Sequence, residues 1–227
     1  MDVRYYIDKI SGEMSEKFDI LCEFLLQYNE KVNLTSITDK NGVFEKHFLD
    51  SILGESLFFE GAQTIEIGSG GGFPSIPLKI IRDDLSLTLV ESTGKKCTYL
   101  QSCVDKLAFD GVKVVNARAE ELGKDINYRE KFDCATARAV ARLNTLCEYC
   151  LPFVKVGGRF IAYKGECEEE LTEAQNAIKI LGGEIESVQK YSLPSGDKRA
   201  LICIKKVCAT PQKYPRGQGK ERKCPIV

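Results

Sequence analysis

The chain has 227 residues, of which 43% are hydrophobic and 29% charged, so its length suits one domain with an extension. Lys and Arg total 32 against 33 for Asp and Glu, so affinity for nucleic acid must come from local basic patches. No signal-peptide pattern or bilayer-length apolar run is visible, and we expect a cytoplasmic protein that does not contact membranes.

The ten cysteines are scattered along the chain, and several lie inside apolar runs. Cys147 and Cys150 have the spacing of a metal or redox pair, but no second pair accompanies them and His47 is the only histidine. We therefore interpret the cysteines as buried thiols and predict no metal site. A single histidine without a nucleophile elbow also disfavours a Ser-His-Asp hydrolase.

The first part of the chain carries a helical pattern. Apolar residues recur at helical spacing from about Ser11 to Phe59, which predicts an N-terminal helical cap over residues 1–60. Between the cap helices, the stretch from Asn33 to Gly42 is rich in turn formers and N-cap residues, and we predict a loop there.

Residues 61–207 alternate between short β-rich runs and helical segments, which predicts βαβ units and a mostly parallel sheet. The five parallel strands are expected at Thr64 to Ile67, Leu85 to Glu91, Lys113 to Asn116, Phe132 to Thr136 and Arg159 to Tyr163. The helices between and after them are expected at Pro74 to Ile81, Lys95 to Leu107, Leu143 to Cys150 and Glu168 to Leu181.

The C-terminal part has a different pattern. Two strand-like runs, Glu184 to Tyr191 and Arg199 to Lys205, follow each other without a helix and predict an antiparallel hairpin. The expected fold is therefore α/β, a doubly wound, Rossmann-like sheet of seven strands. Residues 208–227 contain three prolines and two glycines among basic residues, and we predict a basic, flexible tail.

The strongest local signal is an apolar strand that runs into a glycine-rich turn and then a helix, from Thr64 to Pro74. A dinucleotide site would require a third glycine at the position of Phe73. The pattern of an acid followed by three alternating glycines, which suits S-adenosylmethionine, is met at Glu66, Gly68, Gly70 and Gly72. This acid would repel a pyrophosphate, so S-adenosylmethionine is the favoured cofactor.

Further candidates lie at the ends of the next strands, at the sheet edge where open α/β folds bind ligands. Glu91 ends the second strand, where a carboxylate can accept both ribose hydroxyls, although this role fits either cofactor class. Ala119 and Glu120 follow the third strand and are predicted to contact adenine, unless they simply begin a helix.

Arg138 ends the fourth strand, close to the expected position of the transferred methyl group. Its guanidinium can donate to a phosphate or to a guanine edge, and Arg142 follows about one helical turn later. A structural salt bridge with a loop acid is the alternative role.

Several motifs together resemble one family, the bacterial 16S ribosomal RNA (guanine-N7) methyltransferases, also called glucose-inhibited division protein B. The motifs occur in order along nearly the whole chain: Asn33 to Ser36, His47 to Ser51, Gly72 to Leu78, Arg118 to Glu121, Ala137 to Ala139 and Tyr163 to Gly165. The resemblance implies methylation of nitrogen-7 of guanine 527 in the 530 loop of 16S rRNA, with naked rRNA or the small ribosomal subunit as partner.

The resemblance also implies site residues. It places Gly68, Phe73, Ala119, Glu120 and Arg138 at the cofactor. We predict Arg138 as the catalytic residue, which orients the base, and Asn33 and His47 as parts of the substrate pocket, although packing or capping roles remain open for both. RNA is predicted to bind to basic residues, namely Lys95, Lys96, Lys164, Lys198, Arg199 and the basic tail, and the chain is expected to act as a monomer.

Alternative functions remain at this stage because the fold alone does not define the reaction. They are a methyltransferase for another RNA, a small molecule or a protein, a nicotinamide-dependent oxidoreductase, and an RNA-binding factor without activity. Phe73 disfavours the oxidoreductase, and the intact set of Glu66, the alternating glycines and Glu91 disfavours an inactive binding factor.

Overall fold

The N-terminal cap consists of helices that pack on one face of a central sheet. The structure, a computed structural model, describes residues 3–12 and 14–227, so Met1, Asp2 and Glu13 of the predicted cap lie outside the described residues. The cap contains α1 (Val3–Ser11), α2 (Ser15–Val32), α3 (Lys40–Val43), a π-helical segment (Phe44–Leu49) and α4 (Asp50–Ile52). A short 3₁₀ turn follows at Glu55–Leu57.

Helix α2 forms because its apolar residues recur every three or four positions. Phe18, Leu21 and Leu25 are buried on one side of the helix, in the core cluster that the cap shares with one face of the domain. Helix α3 begins inside the predicted loop, where the Asp39 side chain accepts a hydrogen bond from the Gly42 backbone N–H (2.8 Å). Helix α1 begins eight residues before the predicted helical pattern.

The predicted seven-stranded sheet is confirmed, with strand order β3-β2-β1-β4-β5-β7-β6. Strands β1 to β5 pair in parallel, whereas β7 pairs antiparallel with both β5 and β6. The strands are β1 (Gln63–Ile67), β2 (Ser86–Glu91), β3 (Val112–Asn116), β4 (Phe132–Arg138), β5 (Val154–Lys164), β6 (Gly183–Ser192) and β7 (Lys198–Lys206).

Helices cover both faces of the sheet, as the alternation of side chains along a strand requires. In β5, Phe160 and Ala162 face one layer of the core, whereas Ile161 and Tyr163 face the layer that contains the cap. The remaining helices are α5 (Ser75–Ile81), α6 (Gly94–Lys106), α7 (Ala119–Leu122), α8 (Leu143–Cys150), α9 (Glu168–Ile180) and α10 (Lys220–Lys223), with a 3₁₀ turn at Leu151–Phe153.

The cap and the sheet share one core and are also joined by polar contacts. The Tyr163 hydroxyl donates a hydrogen bond to the Ser51 carbonyl (2.7 Å). A Cβ atom at Gly54 would lie 2.2 Å from that hydroxyl oxygen, so only glycine lets Tyr163 approach the cap this closely. These contacts hold the cap over the carboxyl ends of β4 and β5.

The order of the strands reverses between β1 and β4, which are neighbours in the sheet. From β1 the chain moves outward through β2 and β3, and it then returns to β4 on the other side. In doubly wound folds, the crevice outside the carboxyl ends of two such strands is the usual ligand site. The segments that follow β1 and β4 are therefore the places where functional residues are expected.

The tail differs from the expectation of a flexible arm because residues 208–227 lie against the domain. Arg129 donates to the carbonyl oxygens of Thr210 (2.7 Å) and Tyr214 (2.8 Å), and the Tyr214 ring is buried in the core. Arg216 forms a two-pronged ion pair with the buried Glu148 of α8 (2.7 Å between Nη2 and Oε2). These partners hold residues 208–219, which form no helix or strand, against the domain.

Cys147 and Cys150, the pair with metal-like spacing, are both fully buried in the core. No group of three or more His, Cys, Asp or Glu side chains that could hold a metal ion occurs within the described residues. In residues 3–12 and 14–227 we find no helix with the length and apolar character needed to cross a bilayer.

Candidate active site

The loop after β1 presents its backbone to a cleft. The Gly68 and Ser69 N–H groups both donate to the Val90 carbonyl of β2 (2.8 and 3.1 Å), which fixes the loop at the sheet edge. Gly68 and Gly72 have φ of +70° and +86°. A Cβ atom at Gly68 would lie 2.7 Å from the Val140 side chain, so glycine is needed for both conformation and space.

Glu66 lies beneath this loop and is 1% exposed. Neither oxygen of its carboxyl group accepts a hydrogen bond of normal distance and angle from the described residues. Burial raises the pKa of Glu66 to about 8, although the nearby Ser75 and Arg138 act in the opposite direction. Ionising a buried acid that lacks such partners costs free energy, and a cationic ligand above the loop would lower this cost.

Glu91, at the end of β2, connects the second strand to the glycine loop. Its Oε2 atom accepts from the Gly70 N–H (3.0 Å) and its Oε1 atom from the Thr93 N–H (2.8 Å). Each carboxylate oxygen has two acceptor positions, so the residue can still receive hydrogen bonds from two hydroxyl groups. The side chain is held in place before a ligand arrives.

On the other side of the cleft, Arg138 anchors a set of connected side chains that we call the arginine network: Thr35, His47, Asp50, Arg138, Tyr191 and Arg199. Arg138 Nη1 lies 3.0 Å from Oδ2 of the buried Asp50, and Tyr191 and Arg199 approach the other oxygen of that carboxylate (2.7 and 3.6 Å). The network thus joins the cap to β4, β6 and β7.

His47 is a neutral member of this network. Its Nδ1 atom accepts from Arg138 Nη2 (3.1 Å), so the ring proton is assigned to Nε2, which donates to Thr35 Oγ1 (2.6 Å). Burial, together with the positive charge of Arg138, lowers the pKa of His47 to about 3. The ring stacks on Phe73 of the glycine loop, with 4.5 Å between centroids.

The glycine loop and the members of the arginine network other than Tyr191 line the same cavity of about 760 Å³. The backbone turns sharply after Arg138, because Ala139 adopts φ of +57°, and this places Val140 against Gly68. Of the residues predicted from the sequence, those that line the cavity are Gly68, Gly70, Phe73, Glu91, Arg138, His47, Lys164 and Arg199.

Other predicted residues lie outside this lining. Glu66 is beneath the loop, and Gly72 packs against Ile76 instead of facing the cavity. Lys95 does not line the cavity, whereas the adjacent Lys96 does. Asn33 ends helix α2 in a left-handed conformation, with its N–H donated to the Asn29 carbonyl, which supports the capping alternative.

Ala119 and Glu120 begin α7, and Ala119 is buried while Glu120 lines a neighbouring cavity. That cavity, of about 390 Å³, is also bordered by the tail residues Arg216 to Gly219. The predicted contact of Ala119 and Glu120 with adenine stays a prediction. Arg142 turns away from the cleft and pairs with Glu173 of α9 (2.8 Å).

The sequence patterns assign no role to several residues that line the cavity: Thr35, Lys46, Asp50, Ser92, Thr93 and Val140. Asp50 offered one signal, since an acid within the apolar helical pattern of His47 to Leu53 needs a buried partner. Lys46 offered none, because it resembles an ordinary exposed basic residue. Arg222 belongs to the basic tail, for which the sequence predicts RNA contact without singling out a residue.

The sheet order and the glycine loop define a class, the Rossmann-like methyltransferase fold. The chain is similar to the solved structure of a SAM-dependent methyltransferase from Aquifex aeolicus (15% identity, 73% of this chain and 94% of that one, TM-score 0.56). It is also similar to a SAM-dependent O-methyltransferase from Thermotoga maritima (16% identity, 82% and 72% coverage, TM-score 0.54).

The family follows from sequence comparison. The model of the GidB family, described as rRNA small subunit methyltransferase G, matches residues 14–202. Proteins named ribosomal RNA small subunit methyltransferase G are 46% identical in Lactobacillus delbrueckii subsp. bulgaricus (97% of this chain, 95% of that one) and 45% identical in Brevibacillus brevis (96% and 93%). The chain belongs to this family, which excludes the nicotinamide-dependent alternative.

Proposed function

We propose that this chain transfers a methyl group from S-adenosylmethionine to nitrogen-7 of a guanine in 16S rRNA, guanine 527 of the 530 loop. The observation that carries the proposal is one cavity at the reversal of strand order, lined by a glycine loop on one side and Arg138 on the other. Family membership supports the rRNA substrate. A ribosomal substrate would also place the chain in the cytoplasm.

The residues present fit S-adenosylmethionine. The backbone of Gly68 to Gly70 offers close approach, and Glu91 is positioned to accept the ribose hydroxyls. A cationic ligand above the loop would lower the raised pKa of the buried Glu66, so that this acid ionises and supplies a negative charge when the ligand is bound. When bound, the cofactor supplies an electrophilic methyl group on a sulfonium sulfur.

The chemistry needs positioning more than proton transfer. Nitrogen-7 of guanine carries an in-plane lone pair and no hydrogen, so no general base is required. A neutral His47 suits this reaction, because methylation leaves the base positively charged and a histidinium nearby would oppose that charge. Holding the reacting atoms at the right distance and angle can contribute roughly 7 to 11 kcal/mol to barrier reduction.

The geometry of Arg138 limits how it can act. Its Nη1 and Nη2 atoms contact Asp50 and His47, while its Nε atom makes no hydrogen bond among the described residues. A donor to nitrogen-7 would occupy the lone pair that must attack, so we propose that Arg138 donates to the guanine O6 atom or to a phosphate. Its cation also lies over the Phe73 ring, 5.0 Å from the centroid.

The test is transfer of radiolabelled methyl groups to 16S rRNA and to small subunits that lack the modification, followed by mapping of the labelled nucleotide. We expect 7-methylguanine at position 527. Label at another base would contradict the proposed site, and label on neither RNA substrate would contradict the proposed acceptor.

The cofactor part has a separate test. Glu91→Gln should weaken the binding of S-adenosylhomocysteine, measured by calorimetry, by roughly 10-fold or more, because hydrogen bonds to a charged group contribute about 1.5 to 3 kcal/mol. Glu121→Gln is the matched control, since Glu121 is an exposed acid of α7 that does not line the main cavity. Equal affinities of the two variants would remove Glu91 from the cofactor site.

A further inference from the structure

The C-terminal tail reaches the main cavity, although its sequence suggests an arm detached from the domain. Arg222, in the short helix α10, lines the cavity together with residues that follow β1 and β4. The preceding residue, Glu221, is fully buried, and its side chain accepts a hydrogen bond from the Gly217 N–H. The Glu221 carbonyl accepts from Thr145 Oγ1 (3.0 Å), which fixes α10 on helix α8.

Arg222 is thus held close to the glycine loop. Its Nη2 atom donates to the Val140 carbonyl (3.3 Å), and the Val140 side chain contacts Gly68. The guanidinium also interacts with the Tyr149 hydroxyl and, by doing so, lowers the pKa of that group against the larger effect of burial. The residue itself is exposed, so its charge faces solvent at the cavity rim.

The charge of Arg222 is not neutralised in the way that most cations of the cavity are. Lys46, Arg138, Lys164 and Arg199 each form a salt bridge with an aspartate or glutamate. Among the lysines and arginines that line the cavity, Lys96 and Arg222 form no salt bridge with any described residue. A cation that a protein holds by its backbone contacts without a carboxylate is available to an external anion.

We propose that Arg222 binds a backbone phosphate of the RNA beside the target nucleotide, so that the tail completes the substrate site. This proposal rests on the proposed function and deepens it. The RNA offers a phosphate at each nucleotide, and the target base has to enter the cavity that Arg222 lines from its exposed position at the rim. Arginine binds phosphate with paired N–H donors, which would orient the strand as well as attract it.

The alternative anion is the carboxylate of the cofactor, and it becomes one outcome of the test. The test compares Arg222→Gln with Arg222→Lys and with Lys223→Gln. Glutamine keeps N–H donors for the Val140 carbonyl but removes the charge, whereas lysine keeps the charge. Lys223 is the matched control because it is exposed on the same helix and does not line the cavity.

The measurements are the KM for 16S rRNA over a range of salt concentrations and the affinity for S-adenosylhomocysteine. One phosphate contact on a single strand contributes about 0.7 to the slope of log affinity against log salt concentration. Such a contact corresponds to a roughly fivefold gain in affinity at 0.1 M salt relative to 1 M salt. We expect Arg222→Gln to raise the KM about fivefold at 0.1 M salt and to reduce the slope by about 0.7. Arg222→Lys should retain most of the slope, and cofactor affinity should stay unchanged.

Two results would overturn the proposal. Weaker binding of S-adenosylhomocysteine by Arg222→Gln, with an unchanged RNA KM, would assign Arg222 to the cofactor carboxylate. An equal effect of Arg222→Gln and Lys223→Gln would mean that only the general charge of the tail matters. Because wild-type transfer to rRNA is measured in the same assay, absence of that transfer would identify a failure of the proposed function itself.

Discussion

The two sides of the cavity differ in how well their polar groups are satisfied. On the cap side, Arg138 and the buried Asp50 form an ion pair at 3.0 Å, and His47, Tyr191 and Arg199 complete their contacts. On the other side, the carboxylate of Glu66 is buried under the glycine loop without a full hydrogen-bond partner. The first side is complete within the protein, whereas the second carries a cost that a cationic ligand can relieve.

The largest effect is expected for Asp50→Ala, which leaves Arg138 of the arginine network without its carboxylate partner. Removing one partner of a buried ion pair typically costs about 3 to 5 kcal/mol, because the other charge stays buried and unpaired. We expect a loss of this size in the free energy of unfolding, measured by urea denaturation at pH 7. Asp50→Asn, which retains an acceptor, should lose less.

The control for Asp50 is Asp197→Ala, which removes a partly exposed partner of Lys46 and Arg199 at the rim of the same region. Surface pairs of this kind contribute little, so its unfolding midpoint should stay close to that of the wild type. If the two alanine variants lost equal stability, the arginine network would not be the buried, self-sufficient structure described above.

The next effect concerns Glu66 and depends on pH. The pKa of Glu66 is about 8 in the folded chain and about 4.5 when unfolded, so between these values the unfolded chain loses its proton first. The stability that the protonated acid contributes is complete below about pH 4.5 and is lost as pH rises to about 8. Glu66→Gln should therefore gain stability relative to wild type, by several kcal/mol near pH 8.

Urea denaturation of both proteins at pH 5, 6.5 and 8 checks this prediction. The difference in the free energy of unfolding should be smallest at pH 5 and should increase at each step. A saturating concentration of S-adenosylmethionine should reduce the difference at pH 8, because a cation above the loop favours the ionised acid. A difference that does not change with pH would show that Glu66 is not the strained group on this side.

The sequence predicted the residues at the strand ends better than it predicted the arginine network. Gly68, Glu91 and Arg138 all lie at or just beyond the carboxyl ends of parallel strands. Correct prediction of the strands was therefore enough to predict that these residues share one edge of the sheet. The network around Asp50 could not be assembled in this way. Its members come from the cap, β4, β6 and β7, and only tertiary packing brings them together.

The packing of the tail, residues 208–227, could not be predicted from the sequence either. Its prolines, glycines and basic residues have the composition of a flexible segment, and the partners that bind it, Glu148 and Arg129, resemble ordinary surface charges in the sequence. The structure buries Glu148 and directs Arg129 to carbonyl oxygens of the tail. Local composition carries no information about such long-range partners, which are about 70 to 85 residues away.

The smallest effect is expected for Arg142→Gln, although Arg142 lies only four residues after Arg138 in the sequence. Arg142 is half-exposed and pairs with Glu173 of α9 outside the cavity. Its loss should leave both the unfolding midpoint and the kinetics of methyl transfer within experimental error of wild type.

Arg138→Gln is the matched comparison for Arg142→Gln, since it removes the same charge from a position that contacts Asp50 and His47 inside the cavity. We expect this variant to lose stability, because Arg138 is part of the buried arginine network, and to lose kcat, because Arg138 is the residue proposed to orient the guanine. If Arg142→Gln reduced methyl transfer as much as Arg138→Gln, RNA would have to contact α8 and α9 beyond the rim, and the site would extend past the cavity.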